Sequence, residues 1–494
     1  MRLEQLLKGL EFRLLRGEDN TEIRDIKYDS RRVEKGDAFI CIRGEKDEGS
    51  RYIPQAFKRG AAAVVLEKGC PMGELPEKIT AVEVESARRA MALMSAEYFG
   101  HPAGRLKLIG ITGTKGKTTT AYILRNILMK SGKKTGLMGT VEIIAGDEAF
   151  SSVNTTPESY DIHRYLKKMA DKGCAYAVME VSSQGIKMER TGGMNFDYGV
   201  FTNLSPDHIG PGEHSSFREY AECKRKFFRS CATGVFNADD ERSGFVSGGS
   251  SCGKVFFSLK GKGDINGEDI RLFTDGGALA AEFDLRGLAE FRARINMPGT
   301  FSVYNSLGAA GVCILEGVDE EHIKEGLETA EVRGRSEMIP VPGCLGAVID
   351  YAHNEVSVRS ILKTLREYGP ERIIAVFGCG GNRPAMRREA MGEAVGELAD
   401  LSIVTCDNPR FEALEEINRD IIRGLRKKGA DYRQIDDRRE AIEYAVAHAG
   451  AGDLIAVLGK GHENYMEIQG KRQIFSDKET LERIAESGGN LSES

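Results

Sequence analysis

The stretch that decides the fold is Gly110-Ile-Thr-Gly-Thr-Lys-Gly-Lys-Thr-Thr-Thr120. It follows an apolar run, Leu106-Lys-Leu-Ile109, that predicts a strand, and it opens a segment whose apolar residues recur with the period of a helix. A strand, a glycine-rich turn and Gly-Lys-Thr at a helix start are typical of a phosphate-binding loop. The sequence therefore predicts a nucleoside triphosphate site, and the alternative is a glycine-rich turn that binds no ligand.

Within this loop, main-chain N–H groups are expected to surround phosphate oxygens, aided by the partial positive charge of the helix start. Lys117 would reach the terminal phosphates, and the hydroxyl of Thr118 would hold Mg²⁺. The loop departs from a strict Walker A spacing because Ile111 stands where the first glycine would be. The other residues expected to bind ATP here are Gly113, Thr114, Gly116 and Thr119.

Length and composition set the frame for this site. A chain of 494 residues, 41% of them hydrophobic, predicts about three domains with real cores. No stretch approaches the roughly 18–20 apolar residues of a membrane span, and the N-terminus lacks the apolar centre of a signal peptide. Ten scattered cysteines without a Cys-x-x-Cys pair argue against disulfides or a zinc ribbon. With a net charge of −6, we expect a cytoplasmic monomer with no nucleic-acid or membrane partner.

Short apolar runs alternate with helical segments along most of the chain, which predicts an α/β fold with mostly parallel sheets. We expect three domains with boundaries near residues 103 and 333, covering 1–103, 104–333 and 334–494. The glycine-rich segment 243–296 predicts a small antiparallel appendage to the second domain.

Polar clusters follow several predicted strands, where open α/β sheets bind ligands. Glu180-Val-Ser-Ser183 offers a carboxylate suited to Mg²⁺, although Ser182 or Ser183 could simply cap a helix. His208 follows the next strand, as a ligand or as a structural histidine. In the third domain the same arrangement recurs at Asp350-Tyr-Ala-His353, Asp407-Asn-Pro-Arg410 and Gly459-Lys-Gly-His-Glu463. Turn chemistry explains the Asn-Pro and Gly-Lys-Gly pieces but not the recurrence of charged residues.

Taken together these segments resemble the Mur ligase family over almost the whole chain, and among its members those that add the third residue of the peptidoglycan stem peptide. The matching segments are Tyr28-Asp-Ser-Arg31, the 110–120 loop, Asn154-Thr-Thr-Pro157, Glu180-Val-Ser-Ser183, Gly299-Thr-Phe-Ser-Val-Tyr-Asn305, Gly334-Arg335 and the three clusters of the third domain.

The resemblance implies a uridine-nucleotide domain, a central ATPase-like domain and a Rossmann-like amino-acid domain. It also implies ATP-dependent amide-bond synthesis with ATP and Mg²⁺, in which a carboxylate of UDP-MurNAc-L-Ala-D-Glu becomes an acyl phosphate and an amine displaces the phosphate. Lys117, a carbamylated Lys224, His208 and Glu180 would serve catalysis, and the metal ligands would be Thr118, Glu180, His208 and the same Lys224. Without the resemblance, Lys224 would be taken as part of a solvated basic cluster, Lys224-Arg-Lys226.

The resemblance further implies how the substrate contacts are divided. The residues for the UDP-linked acceptor are Ser30, Asn154, Thr155, Thr156, Ser182 and Arg190. Further ATP contacts are Asn305, Arg335, Asp350 and His353. The amino-acid contacts are Arg388, Asp407, Asn408, Arg410, Gly459 and Glu463.

In the family that the chain resembles, Asp-Asn-Pro-Arg marks enzymes that take meso-diaminopimelate, so the resemblance implies this amine at Asp407-Asn-Pro-Arg410. There the Arg fork would bind a distal carboxylate that L-lysine lacks. L-Lysine is the second candidate. A related ligase acting on another carboxylate, a non-catalytic protein that binds UDP-peptides, and an ordinary phosphate-loop kinase stay open as other classes. Departures from the family pattern, which indicate a divergent branch, lie at Lys115, Gln184, Met188, Gly210–Glu213 and Asn354–Val356.

Overall fold

The structure is a computed structural model that describes residues 1–44, 48–70, 75–207, 209–210 and 212–486. The chain divides into two compact units. Unit 1 comprises Met1–Asp264 together with Gly308–Asp319, and unit 2 comprises Ile265–Leu307 together with the chain from Glu320 onward. Each unit contains mostly parallel sheets with helices between the strands, which confirms the predicted fold class. The domain boundaries near residues 103 and 333 stay predictions.

The first sheet of unit 1 has five strands in the order β1-β5-β4-β3-β2, with β1 antiparallel to β5 and the others parallel. Its strands are β1 Phe12–Arg16, β2 Ile26–Lys27, β3 Ala38–Ile40, β4 Ala63–Glu67 and β5 Thr80–Val84, and its helices are α1 Leu3–Leu6, α2 Ile53–Lys58 and α3 Ala87–Tyr98. Short 3₁₀ turns lie at Ser30–Arg32, Gly49–Tyr52 and Pro102–Arg105.

The second sheet of unit 1 carries the phosphate-loop stretch. Its strands are β6 Lys107–Thr112, β7 Thr135–Met138, β8 Glu142–Ala145, β9 Glu148–Ser151, β10 Tyr176–Glu180, β11 Phe196–Phe201, β12 Cys231–Asn237 and β13 Gly253–Ser258. Its helices are α4 Lys117–Lys130, α5 Ser159–Asp171, α6 Ser183–Lys187, α7 Phe217–Phe227 and α8 Ser243–Ser247, with a 3₁₀ turn at Phe228–Ser230. The strands follow the order β13-β12-β11-β6-β10-β7-β8-β9, so β6 is central. Its neighbours β10 and β11 are both parallel to it.

Unit 2 begins with an antiparallel ribbon and continues as a six-stranded sheet. Its strands are β14 Ile265–Asp275, β15 Ala278–Gly287, β16 Phe291–Ile295, β17 Glu337–Ile339, β18 Gly346–Asp350, β19 Arg372–Phe377, β20 Leu401–Val404, β21 Tyr432–Gln434, β22 Asp453–Leu458, β23 Tyr465–Ile468 and β24 Lys471–Ile474. Its helices are α10 Glu320–Glu328, α11 Glu355–Arg366, α12 Ala385–Leu398, α13 Leu414–Lys427, α14 Arg438–Ala447 and α15 Asp477–Glu486, and helix α9 Thr300–Leu315 spans residues of both units. The ribbon β14-β15-β16 falls inside the segment for which an antiparallel appendage is predicted.

In the six-stranded sheet the order is β17-β18-β22-β19-β20-β21, and only β17 runs antiparallel to its neighbour. Strands β18, β22 and β19 end in register, because Asp350 pairs with Leu458 and Leu458 with Phe377. In the central sheet of unit 1, Glu180 likewise pairs with Ile111. Within each sheet, the polar segments that follow these strands therefore start at one edge.

Among the residues that the structure describes, no helix combines the length and the apolar character that crossing a bilayer requires.

Candidate active site

The loop between β6 and α4 has the backbone of a phosphate cradle. Gly113 and Gly116 have positive φ angles of 156° and 83°, which side-chain-bearing residues rarely adopt. A Cβ on Gly113 would stand 1.9 Å from Oγ1 of Thr202, so no side chain fits there. Helix α4 then begins at Lys117, so its first N–H groups face the loop.

The end of strand β11 holds this loop from the side. The amide of Asn203 accepts from the N–H of Lys115 at 3.0 Å and donates to the carbonyl of Lys115 at 3.1 Å. Thr202 donates to the same carbonyl at 2.7 Å, and the hydroxyl of Tyr220 donates to Oγ1 of Thr114 at 3.0 Å. Sequence reasoning missed Asn203 and Tyr220 as site residues, although Asn203 lies in a strand-end segment of the predicted kind.

Two lysines converge on one carbonyl of the loop. Nζ of Lys117 donates to the carbonyl oxygens of Gly113 and Thr114 at 2.9 and 3.1 Å, and Nζ of Lys224 donates to that of Gly113 at 2.8 Å. Lys224 is buried, with 1% of its surface exposed, and does not belong to a solvated cluster. Burial lowers the pKa of Lys224 well below its usual value, and repulsion by Lys117 lowers it further. The folded protein therefore favours the neutral amine of Lys224 more than water does.

Glu180 lies at the end of β10 with 1% of its surface exposed. Oγ1 of Thr118 lies 3.0 Å from each of its carboxylate oxygens. Thr140 donates its N–H at 2.8 Å and its hydroxyl at 3.1 Å. The structure thus brings the two predicted metal ligands Thr118 and Glu180 together, and it adds Thr140, which no motif identified. Hydroxyl and carboxylate oxygens are the donors that Mg²⁺ prefers.

The predicted acceptor loop contacts the main chain of Glu180 and also Thr140, which in turn bonds the Glu180 carboxylate. The hydroxyls of Thr155 and Thr140 are 3.0 Å apart. Thr156 donates to the main-chain oxygen of Glu180 at 2.8 Å and accepts from the N–H of Ser182 at 2.9 Å. Asn154, which precedes these threonines, is exposed. A ligand that binds this loop would therefore affect the position of Glu180.

Three other predicted acceptor contacts have structural partners. Ser182 caps helix α6 by accepting from the N–H of Gly185 at 3.0 Å. Arg190 donates to the carbonyl of Thr156 at 2.9 Å and pairs with Glu158 at 2.8 Å. Ser30 is buried beside the first sheet, where its hydroxyl donates to Gln55 at 2.7 Å. The hydroxyl of Ser182 also contacts that of Thr156 in the predicted acceptor loop. Its capping of helix α6 therefore does not exclude a role in binding the acceptor.

His208, predicted as a metal ligand, lies outside the described residues. Within the described ranges, no three His, Cys, Asp or Glu side chains lie close enough together to share a metal ion.

Three of the predicted nucleotide contacts of unit 2, Arg335, Asp350 and His353, lie around the end of β18. Ser336 donates its N–H to the carboxylate of Asp350 at 2.8 Å, and burial raises the pKa of Asp350 although Arg335 opposes the shift. The guanidinium of Arg335 stacks over the ring of Tyr351 at 4.9 Å. Nδ1 of His353 contacts the carbonyl oxygen of Tyr351 at 2.8 Å. Asn305 is buried on helix α9.

The two last motifs of the chain meet in unit 2. Asn408 donates to Oε2 of Glu463 at 2.8 Å. Gly459 has a φ of 111°, and a Cβ there would stand 2.6 Å from the carboxylate of Asp407. The segments 407–410 and 459–463 therefore form one cluster of polar side chains.

The two arginines predicted to bind the amine substrate differ in their surroundings. Arg410 adopts a left-handed backbone with a φ of 54°, and its guanidinium donates to the carbonyl of Gly381 at 2.8 Å while 31% of the side chain stays exposed. Arg388 is buried and pairs with Glu412 and, at 3.3 Å, with Asp420. Arg410 also lies 3.8 Å from Glu467, but its side chain is more exposed than that of the buried Arg388, so a substrate carboxylate reaches Arg410 more easily.

A parallel sheet with a glycine loop, two converging lysines and a carboxylate on the neighbouring strand defines a nucleotide-binding protein of the phosphate-loop class. Three family models match the chain: "Mur ligase family, catalytic domain" at residues 22–98, "Mur ligase middle domain" at 111–313 and "Mur ligase, glutamate ligase domain" at 334–461. The chain belongs to the Mur ligase family.

Individual relatives agree with this assignment over nearly full length. The UDP-N-acetylmuramoyl-L-alanyl-D-glutamate–2,6-diaminopimelate ligase of Clostridium tetani is 37% identical, covering 98% of this chain and 99% of the relative. Its namesake from Caldanaerobacter subterraneus is 39% identical, covering 98% and 99%. A solved structure of a ligase with this name is 26% identical with a TM-score of 0.68, covering 99% of this chain and all of its own. MurF from Acinetobacter baumannii, at 20% identity and a TM-score of 0.62, shares the fold over 93% of this chain and 95% of its own.

Proposed function

We propose that this protein is an ATP-dependent ligase that joins meso-2,6-diaminopimelate to the D-glutamyl carboxylate of UDP-N-acetylmuramoyl-L-alanyl-D-glutamate. Family membership and the names of near full-length relatives support the reaction. The single observation that carries the choice of amine is the cluster joined by the Asn408–Glu463 hydrogen bond, with Arg410 partly exposed. An Arg fork and a carboxylate side by side suit a substrate with both carboxylate and amino groups.

At the phosphate loop, the acceptor carboxylate attacks the γ-phosphoryl group of ATP, which gives an acyl phosphate and ADP. The amine then adds to the acyl carbon, and the tetrahedral intermediate expels inorganic phosphate. Lys117 and the N–H groups at the start of α4 stabilise the charge that develops on phosphate oxygens. The hydroxyls of Thr118 and Thr140 orient the carboxylate of Glu180.

Thr118 and Glu180 provide the oxygen donors that suit Mg²⁺, and His208 and Lys224 complete the proposed set. When bound, Mg²⁺ supplies positive charge against the triphosphate. The amine of Lys224 is buried and its pKa is lowered, which suits reaction with CO₂, in which the nitrogen bonds to carbon and releases a proton. The product is an anionic carbamate with oxygen atoms for a cation. Cytoplasmic location and a monomeric state stay predictions.

The decisive experiment measures phosphate release with ATP, Mg²⁺ and UDP-N-acetylmuramoyl-L-alanyl-D-glutamate in the presence of meso-diaminopimelate, L-lysine or no amine. We expect release only with diaminopimelate, together with a tripeptide product of the corresponding mass. Release with lysine alone would overturn the choice of amine and keep the ligase. Release without any amine would favour a kinase, and no turnover with any amine would overturn the proposed acceptor.

A second test separates the nucleotide site from the acceptor site. Lys117→Ala should abolish turnover, because it removes the cation nearest the phosphates, yet leave the affinity for the UDP-linked acceptor within about threefold, well below the 1.4 kcal/mol of a tenfold change. Lys130→Ala, at the other end of the same helix, serves as the matched control. A collapse of acceptor binding in Lys117→Ala would contradict the assignment of the two sites.

A further inference from the structure

Lys460 is a buried lysine in the segment 459–463, which forms one cluster of polar side chains with the segment 407–410. None of its side-chain surface is exposed, which is rare for a lysine unless it is paired. Its Nζ donates to Oε2 of Glu463 at 3.2 Å and to the main-chain oxygen of Tyr465. Lys460 follows strand β22 by two residues, so a rigid element fixes the position from which its side chain extends.

Glu463 is held from one side only. Oε2 accepts from both Lys460 and Asn408, at 3.2 and 2.8 Å. Asn408 is itself fixed, because its side-chain oxygen accepts from the N–H of Glu467 at 2.9 Å. No described residue donates to Oε1 of Glu463, and 16% of this side chain is exposed. One oxygen is thus anchored, while the other is open to a donor from outside the protein.

Lys460 also balances charge within the cluster. The carboxylate of Asp407 is buried, and burial raises its pKa. The charges of Arg438 and Lys460 oppose that shift, whereas Glu463 adds to it. Without the positive charge of Lys460, the repulsion between the carboxylates of Asp407 and Glu463 would be stronger. The side chain of Glu463 would then be expected to rotate away from Asp407.

We propose that Lys460 is a positioning residue that holds Glu463 so that its free oxygen accepts a hydrogen bond from an ammonium group of the diamino-acid substrate. This inference rests on the proposed function. Lys460 itself does not touch the substrate, because its side chain is enclosed and its recorded partners are Glu463 and Tyr465. The second amino group of the substrate distinguishes a diamino acid from an ordinary one, so the role is one of specificity.

The test compares Lys460→Met, which keeps the length of the side chain, with Lys460→Arg, which keeps its charge. We expect Lys460→Met to raise the KM for meso-diaminopimelate about tenfold or more, as loss of a charged hydrogen-bond partner does. Its KM for ATP should change little, whereas its melting temperature should fall because a buried ion pair is lost, and Lys460→Arg should recover part of both losses. Lys478→Met, which removes another ion-paired lysine of the same unit, is the matched control.

A double-mutant cycle shows whether Lys460 acts through Glu463. In a Glu463→Gln background, the further change Lys460→Met should raise the KM for diaminopimelate less than twofold, because the carboxylate that it positions is already gone. Equal increases in both backgrounds would overturn the proposal and indicate a general structural role. If Lys460→Met does not fold, Lys460→Gln takes its place in the same cycle.

The outcomes separate this inference from the proposed function. A wild-type protein that turns over diaminopimelate, with Lys460→Met indistinguishable from it, overturns only the role of Lys460. A wild-type protein that is inactive with diaminopimelate overturns the proposed amine, and with it the role of Lys460.

Discussion

Lys224 in unit 1 and Arg438 in unit 2 are both fully buried bases, yet their surroundings are opposite. Lys224 donates to a main-chain carbonyl and lies over the ring of Tyr220 at 4.6 Å. Arg438 forms two hydrogen bonds to Asp477, at 2.7 and 2.8 Å, and two more to the main-chain oxygens of Cys406 and Leu458. The first base lies beside a carbonyl dipole, and the second lies beside a full negative charge.

The titration of the two groups reflects this difference. Burial lowers the pKa of Lys224, and Lys117 lowers it further. Burial also lowers the pKa of Arg438, but the charge and hydrogen bonds of Asp477 outweigh it, and the net shift is upward. A buried base that is hydrogen-bonded to a counter-charge supports the fold, whereas one whose opposing charge, here that of Asp207, does not offset burial weakens the fold. Such a base is kept for another reason. For Lys224, which lies next to the phosphate loop, we expect that reason to be a role in the reaction.

The largest expected effect is that of Lys224→Met, which should reduce turnover at least about 100-fold while raising the melting temperature. At pH values above the ordinary lysine pKa, the side chain of Lys224 is unprotonated in both the folded and the unfolded wild type. As the pH falls below it, the unfolded chain takes up the proton and the folded protein resists, so stability is lost. The gain from Lys224→Met should therefore be present at pH 7 and fade as the pH approaches 10.5.

Melting temperature and phosphate release, measured on the same preparations from pH 6 to 10, check this prediction. Lys226→Met, an exposed lysine on the same helix, is the control. A variant that is both inactive and less stable would contradict the comparison, because Lys224 would then be a structural residue.

Arg438→Met should act in the reverse direction, lowering the free energy of unfolding by about 3–5 kcal/mol because Asp477 is left buried and unpaired. The activity of the molecules that remain folded should change much less. Urea unfolding followed at pH 7 measures the loss. In the double variant Arg438→Met/Asp477→Leu, much of the stability should return, since no charge is left uncompensated; a double variant as unstable as the single one would show that Arg438 matters through its packing.

Local patterns explain which parts of these sites could be predicted from the sequence. The phosphate loop, the strand ends and the joining of the 407–410 and 459–463 segments follow from glycine spacing, apolar runs and the common edge of parallel strands. The antiparallel ribbon of unit 2 follows from its short alternating, glycine-rich stretches. The family resemblance, confirmed by the comparisons, supplied the remaining candidate residues.

Other contacts depend on strand order, which no local pattern contains. Thr140 meets Glu180 because β7 and β10 are neighbours in the sheet, although 40 residues separate the two. Arg438 stands in a run of charged residues, Asp436-Asp-Arg-Arg-Glu440, that resembles an exposed surface segment, and only the structure shows that it is buried against Asp477. For the same reason, nothing in Lys224-Arg-Lys226 marked the first lysine as buried.

Arg410→Lys tests whether the partly exposed Arg410 binds substrate, in contrast to Arg438, which is buried and paired with Asp477. A lysine keeps the charge but loses the planar fork, so the KM for diaminopimelate should rise roughly tenfold with little change in stability. Steady-state kinetics with varied diaminopimelate measure this effect, and Arg419→Lys on the exposed face of α13 is the control. An unchanged KM would mean that Arg410 does not bind the distal carboxylate.

The smallest effect is expected from His163→Leu. This variant tests whether a buried base affects only stability when it lies away from the phosphate loop. His163 lies in the core of unit 1 with 2% of its surface exposed, and neither ring nitrogen has a hydrogen-bond partner among the described residues. Burial lowers its pKa to about 4. As the pH falls from 6.5 toward 4, the unfolded chain binds a proton that the folded protein excludes, which costs up to about 1.4 kcal/mol per pH unit.

His163→Leu should therefore lose less stability than the wild type between pH 7 and pH 5, while phosphate release at pH 7 stays the same. Melting temperatures at the two pH values measure this, with His448→Leu, an exposed histidine of unit 2, as the control. If His163→Leu loses turnover as Lys224→Met does, then a buried base without a counter-charge is tied to function wherever it lies. If only stability changes, the missing counter-charge marks a weak point in the fold, and contact with the phosphate loop is what makes Lys224 a functional residue.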